Sequence, residues 1–553
     1  MSLQFITGNS GNGKTKYLFN RIVKEAKANP RDNYLVIVPE QFTMQTQRQL
    51  VDLSENKAIM NIDVLSFKRL AYRVFDELGI TNLTVLEETG KNLVLRKLAA
   101  QEADKLGVIG RNLNRIGYIS EVKSLLSELV QYNISPEELG RYIASGRLSD
   151  TLSDKLKDVL VLYEAFEKFM QDKYITAEEI LNVLSNVAEE SAILRNSVIA
   201  FDEFTGFTPI QNQLIKKLFV ISKKIYVTLT IDCREDIFKS RGMQELFDMP
   251  KRTVKSLTEM AAFYGIEVEE PIILDKNYRL AENEELSFME QQLFRKRRCS
   301  FEKAPKHIHI DCLRDPKQEL TKIARRINEL VRNENLRYRD IAIVTGDVNI
   351  YAGYVREIFD KYNIPYFIDA TQEILFHPFI EFIRSIPDIA AQNFSADAVF
   401  RFLRCGFSEL LDSEIDVLEN YVLACGVRGK SAWDKKWVRL PKHKAGYDLE
   451  LLNQSREYIM ELLKPVYQVF SDKKSTVKDY VLAIYKLIVL LEIPDKLAKK
   501  EQVLLDAGDQ TASKEYGQIY KIVMQLFEKY VAVLGDECMD AEEFTQILDA
   551  GLD

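Results

Sequence analysis

The residues of this sequence best equipped for chemistry are Gly8-Asn9-Ser10-Gly11-Asn12-Gly13-Lys14-Thr15, which directly follow a short apolar stretch at residues 3–7. The glycines let successive backbone N–H groups turn inward around a polyphosphate, and a helix that follows adds its positive end. In this spacing the Lys14 ammonium reaches the β- and γ-phosphates, and the Thr15 hydroxyl sits on Mg²⁺. A strand at 3–7 and a helix over 16–27 complete the strand, loop and helix order that such a loop requires. The loop is therefore expected to hold ATP with Mg²⁺.

A second constellation answers the first. Ser197-Val198-Ile199-Ala200-Phe201 reads as a buried strand and runs into Asp202-Glu203. At the end of a neighbouring strand, the Asp202 carboxylate would hold the Mg²⁺ shell, and Glu203 would orient or deprotonate the attacking water.

Elements that position these groups are legible around them. Residues 34–38 form an unbroken apolar run stopped by Pro39, as in a strand buried on both faces of a parallel sheet, and 63–67 repeat the theme before a helix through Leu70, Val74 and Leu78. From about 84 to 196 the pattern is helical only, with Ile119, Val122, Leu126 and Leu129 on one face. Ser135-Pro136-Glu137-Glu138 and Thr176-Ala177-Glu178-Glu179 read there as capping boxes. Another strand is expected at 225–230. Residues 339–344 and 363–369 then read as strands flanking a helix, and a helical block starts near Glu373 and ends in a helix at 540–550.

Composition sets outer bounds. A chain of 553 residues is expected to form several domains. The six cysteines carry no C-x-x-C pair and read as reduced thiols of a cytoplasmic protein. His307 and His309 alternate with isoleucines as strand-face residues rather than metal ligands. No apolar run is long enough to cross a bilayer, so no membrane partner is expected. A net charge of −8 argues against a surface that coats nucleic acid throughout, without excluding a local basic groove; the densest basic run, Arg295-Lys296-Arg297-Arg298, reads as a solvated loop, with phosphate contact the alternative.

Asp202-Glu203-Phe204-Thr205-Gly206-Phe207-Thr208-Pro209-Ile210-Gln211 resembles the second motif of superfamily 1 DNA helicases. Leu274-Asp275-Lys276-Asn277-Tyr278-Arg279 is similar to the motif whose arginine touches the γ-phosphate, which makes Arg279 the candidate arginine finger. With Val38-Pro39-Glu40-Gln41-Phe42-Thr43, Val64-Leu65-Ser66-Phe67-Lys68-Arg69-Leu70-Ala71 and Leu418-Glu419-Asn420-Tyr421-Val422-Leu423, the likeness becomes specific. The chain resembles the AddB (RexB) component of bacterial AddAB-type helicase-nucleases, along essentially its whole length.

The resemblance implies an α/β, P-loop NTPase fold of superfamily 1 helicase type, with two α/β motor-type domains and large helical insertions. Domain 1A would comprise 1–83 and 197–290, insertion 1B 84–196, part of domain 2A 291–375 and part of insertion 2B 376–553. It further implies a heterodimer with an AddA-type motor and nuclease subunit, processing of double-strand breaks for homologous recombination, and recognition of Chi-type sequence in single-stranded DNA. The family's nuclease domain and iron-sulfur cluster have no counterpart in this sequence, which reads as the amino-terminal, helicase-like part.

Single-stranded DNA would lie across the tops of the two α/β domains. Gln41, Phe42, Thr43, Ser66, Phe67 and Arg69 are the candidate contacts, through hydroxyls, amides and rings able to stack on bases. Ile231-Asp232-Cys233-Arg234-Glu235-Asp236 stands where a working helicase carries a Gly-Asp and glutamine motif. Two readings follow, a DNA-recognising scaffold that binds nucleotide beside a partner motor and an active DNA-dependent ATPase. A P-loop nucleotide kinase fits poorly, because such enzymes need no second α/β domain.

Overall fold

A computed structural model gives the structure of the protein and describes residues 1–80, 85–86, 88–108, 118–145, 148–170, 174–176, 178–295, 299–369, 374–441 and 447–552. They divide into two compact units, one of residues 1–276 with 374–553 and one of residues 277–373.

The first unit opens with β1 (Ser2–Gly8), α1 (Lys14–Ala28), β2 (Tyr34–Ile37), α2 (Thr43–Leu53), β3 (Ile62–Leu65) and α3 (Phe67–Leu78). An insertion follows with β4 (Val85–Leu86), α4 (Glu88–Gln101), α5 (Tyr118–Gln131), α6 (Pro136–Ala144), α7 (Asp150–Met170), β5 (Ile175–Thr176) and α8 (Ile180–Val187). Alternation then resumes with β6 (Val198–Phe201), α9 (Pro209–Ile221), β7 (Lys224–Thr230), α10 (Asp248–Phe263), β8 (Glu267–Val268) and β9 (Ile272–Leu274).

The main sheet is parallel, in the order β3-β2-β6-β7-β1-β8, with β9 also pairing β1. Every residue of β2 and of β6 is buried, because helices cover both faces. Leu18, Phe19 and Ile22 of α1 and Leu50 of α2 pack on one face. Helices α3, α8, α9 and α10 pack on the other, through Leu70, Leu184, Leu214 and Leu257 among others. Helix α9 starts where the sequence demands, since Thr208 and Gln211 form a reciprocal capping box ahead of Pro209.

The insertion differs from the all-helical expectation in one respect. Val85–Leu86 and Ile175–Thr176 pair as a short parallel ladder where the chain enters and leaves it. Lys91 and Glu178 form a buried ion pair of 2.6 Å near this neck. The Thr176 and Glu179 capping box forms as expected, as does the Ser135 cap of α6.

The second unit carries α11 (Glu284–Gln292), α12 (Pro316–Asn333) and α13 (Asn349–Lys361). Leu320, Ala324 and Ile327 of α12 close a small core with Ile358, Phe359 and Ile364. The strands expected at 339–344 and 363–369, and the one bearing His307 and His309, are not formed among the described residues. The physical reason is coverage. A buried strand needs hydrogen-bonded neighbours and apolar cover on both faces, whereas Ile310, Val344 and Phe367 are 94%, 93% and 88% exposed.

Back in the first unit, the described residues after 373 carry the helices α14 (Pro378–Ala391), α15 (Ala396–Arg404), α16 (Asp412–Cys425), α17 (Lys430–Trp433), α18 (Leu449–Ser471), α19 (Val477–Leu490), α20 (Ile493–Asp506), α21 (Gln510–Leu534) and α22 (Ala541–Leu552). Leu93 of α4 is buried in their core. Arg96 donates to the Gln546 carbonyl at 2.7 Å, and Lys97 pairs with Glu537 at 2.7 Å, so the insertion and this block are clasped through α4. No helix of the described residues is long and apolar enough to cross a membrane.

Candidate functional site

The phosphate-type loop lies at the carboxyl end of β1, the edge where parallel α/β sheets present their ligand sites. Gly11 and Gly13 adopt φ of 88° and 79°, in the left-handed region where a side chain would be strained. Helix α1 begins straight after Gly13, with no side chain capping its amino terminus and no acidic residue in its first turn. Its positive end thus favours an anion at this point. The Lys14 ammonium is folded back onto the carbonyls of Gly8 and Asn9, each at 3.1 Å. A Cβ on Gly8 would meet the Leu274 carbonyl oxygen at 2.6 Å, so the β1–β9 pairing depends on a glycine there.

The acidic pair completes the site. Thr15 Oγ1 lies 3.3 Å from Asp202 Oδ1 and 3.2 Å from Glu203 Oε1, so hydroxyl and carboxylates from sequence positions far apart meet at one point. Asp202 is 1% exposed, and its Oδ1 also accepts from the Thr228 hydroxyl on β7. Its Oδ2 is buried without a hydrogen-bond partner among the described residues. Burial, seconded by the Glu203 charge, holds the Asp202 carboxyl above the usual aspartate range despite the bonds from Thr228 and Thr15. Glu203 takes a φ of 64°, a left-handed conformation costly for a non-glycine residue and characteristic of sites where geometry is imposed by the surroundings. An orphaned buried carboxylate oxygen beside a hydroxyl, under a loop of turned N–H groups, fits Mg²⁺ and a polyphosphate. Thr15 and Asp202 are the residues that would hold the ion.

Two more segments brace the loop. The Cys233 N–H donates to Asn9 Oδ1 at 2.9 Å, and Asn12 Nδ2 donates to the Leu274 carbonyl at 2.6 Å. Asp232, 1% exposed, grips the Arg234 guanidinium through Nε at 2.9 Å and a terminal nitrogen at 2.6 Å. Residues 231–236 thus close on the glycine loop.

The proposed DNA contacts cluster at the ends of β2 and β3. Glu40 organises them: its carboxylate takes the Ser66 hydroxyl and accepts from Arg69 Nε at 3.0 Å, joining the turn Glu40–Phe42 to the start of α3. Gln41 and Arg69 are exposed, and Phe42 is half-buried against the α1 and α2 core. Thr43, Ser66 and Phe67 are buried at 4%, 4% and 7% exposure. Phe67 packs in a cluster with Phe201, Phe204 and Phe207, at centroid distances of 5.8, 5.6 and 6.3 Å. Its ring is committed to packing rather than presented to a base, because the apolar face of α3 turns it inward with Leu70 and Val74.

Comparison with known proteins bears on this geometry. The family model described as "ADDB, N-terminal" matches residues 5–290, a span that contains the glycine loop, the acidic pair and the Glu40 cluster. The chain belongs to the AddB family. A relative from Lachnoclostridium phytofermentans, named as a subunit of an ATP-dependent helicase/deoxyribonuclease, is 38% identical over 561 positions, covering 100% of this chain and 49% of the relative. Proteins of the same name from Clostridium acetobutylicum and Clostridioides difficile are 32% and 31% identical, and the chain covers 48% and 49% of their lengths. This chain spans about half the length of the curated relatives it matches.

Within this AddB chain the structure brings together Gly8, Asn9, Ser10, Gly11, Asn12, Gly13, Lys14, Thr15, Asp202 and Glu203. Arg279 belongs to the second compact unit. Of the run 295–298, Arg295 is described, and 296–298 lie outside the described residues. Sequence reasoning missed Glu40 as the organiser of Ser66 and Arg69, and it missed Lys251. The signal for Lys251 was present: it occupies the apolar stripe of α10 formed with Val254, Leu257 and Ala261.

Proposed function

We propose that this region is the DNA-binding, helicase-like part of an ATP-dependent helicase-nuclease that processes double-strand breaks for homologous recombination. In this reading it binds ATP and Mg²⁺ and recognises Chi-type sequence in single-stranded DNA, while an AddA-type partner is the main motor. The observation that carries the nucleotide part is the meeting of Thr15, Asp202 and Glu203 under the glycine loop.

Mg²⁺, when bound, would neutralise phosphate charge. Lys14 would exchange two backbone carbonyls for phosphate oxygens, and the N–H groups at the start of α1 would bind the phosphates already oriented. Glu203 would accept a proton from water at its Oε1. Gln41 and Arg69, both exposed, would hold the phosphodiester backbone and the single strand.

A second reading, an active DNA-dependent ATPase, draws support from Glu203, whose left-handed backbone holds a carboxylate on Thr15 where a general base is needed. ATP turnover with and without single-stranded DNA, for the wild type and Lys14→Ala, decides between them. Binding without DNA-stimulated turnover supports the scaffold; stimulated turnover lost in Lys14→Ala supports the motor.

A further inference from the structure

Helix α10 grips both loops that leave the nucleotide site. Lys251, its side chain 4% exposed, bonds Glu235 at 2.6 Å and Glu245 at 3.3 Å. Glu235 lies on the segment whose Cys233 N–H holds Asn9 of the phosphate loop at 2.9 Å and whose Ile231 N–H reaches the Gly8 carbonyl at 3.3 Å. Two residues further along the helix, Thr253 Oγ1 donates to the Thr205 carbonyl at 3.0 Å. Thr205 sits two residues after Glu203, which contacts Thr15, and between Phe204 and Phe207, whose rings pack on Phe67 at the start of α3. Backbone and helix are close there, since a Cβ on Gly206 would stand 3.3 Å from Thr253 Oγ1.

We propose that the first half of α10 is a strut coupling the nucleotide loop to the Glu40–Arg69 surface, with Lys251 and Thr253 as positioning residues. A lysine in an apolar stripe gains little stability, because the desolvation of the charges offsets their attraction. What such a pair supplies is fixed geometry. Burial opposes the Lys251 charge, yet the Glu235 and Glu245 carboxylates keep its pKa above the ordinary lysine value. A shift of Asn9 or Glu203 on nucleotide binding must move Cys233 or Thr205 with it, and α10 holds both at one turn. The tie bypasses the missing helicase glutamine.

This inference rests on the proposed binding of nucleotide and DNA, and it adds how the two are linked. The test measures the affinity of the full chain for a fluorescent single-stranded oligonucleotide, with and without a non-hydrolysable ATP analogue and Mg²⁺. The wild type should show a coupling factor within about 5- to 150-fold, the same whichever ligand is added first. Lys251→Met and the near-isosteric Thr253→Val should bring the factor toward one while each ligand alone binds within about 3-fold of wild type, and Lys251→Arg should retain it. Unchanged coupling in folded Thr253→Val and Lys251→Met overturns the strut. So does a wild type that binds both ligands independently, which leaves the proposed function standing; failure of the wild type to bind either ligand sinks that function and the strut together.

Discussion

Replacing Lys14 by alanine separates a nucleotide-binding role from a structural one, because the carbonyls its ammonium touches are groups that water can serve as well. Its ammonium, on a half-buried stem, rests on the carbonyls of Gly8 and Asn9 at 3.1 Å. Water can take over both carbonyls, so their loss should cost no more than about 1 kcal/mol of stability. Against a phosphate about 4 Å away at an effective dielectric near 20, the same charge is worth about 4 kcal/mol. Releasing the two carbonyls takes back about 1 kcal/mol, which leaves about 3 kcal/mol, or roughly a 150-fold loss in ATP affinity. Titration calorimetry with a slowly hydrolysed analogue and Mg²⁺ measures the affinity, and a thermal melt without ligand measures the stability. A Lys14→Ala protein that melts normally and binds the analogue within about 3-fold of wild type would refute the reasoning. So would a variant whose fold collapses, since that would make Lys14 a structural residue.

Three further predictions concern the scaffold. Lys91→Met leaves Glu178 buried without its partner and should destabilise the chain by about 3–5 kcal/mol, with most of the loss recovered by adding Glu178→Leu; denaturant melts of single and double variants check this. Gly8→Ala forces a Cβ against the Leu274 carbonyl, 2.6 Å away, and should cost about 1–3 kcal/mol and loosen β9, read as faster amide exchange over Ile272–Leu274. Burial pushes His377 down to about 4 from the ordinary 6.5. A folded pKa below the unfolded one means that its contribution is whole above about pH 6.5 and drains away as the pH falls toward 4. Melting temperature against pH should therefore fall less steeply for His377→Asn, and an unchanged slope would contradict the assignment.

Much of the candidate site's geometry was legible because its signals are local. Apolar runs at β1, β2, β6 and β7 announce buried parallel strands, and glycine spacing announces the loop. What the sequence concealed depends on partners far away along the chain. Glu40 gives no local sign of its role, which depends on Ser66 and Arg69 arriving beside it. Phe67 looks free to stack until Phe201, Phe204 and Phe207 enclose it. Residues 339–344 and 363–369 have strand-like composition, but composition alone cannot supply the neighbours that a ladder requires.

The clasp on α4 bears on the order in which the molecule can be assembled. Arg96 and Gln546 are 450 residues apart, so at synthesis rates of roughly 5–20 residues per second α4 waits about 20–90 s for the helix that receives it. Throughout that interval Leu93, which ends in the core of the carboxy-terminal helices, has no cover from them. The α/β sheet closes with β9 at residue 274, long before this happens. Nascent chains therefore pass through a state with a finished sheet and an open insertion, and the contact order of the clasp makes its closure the late step.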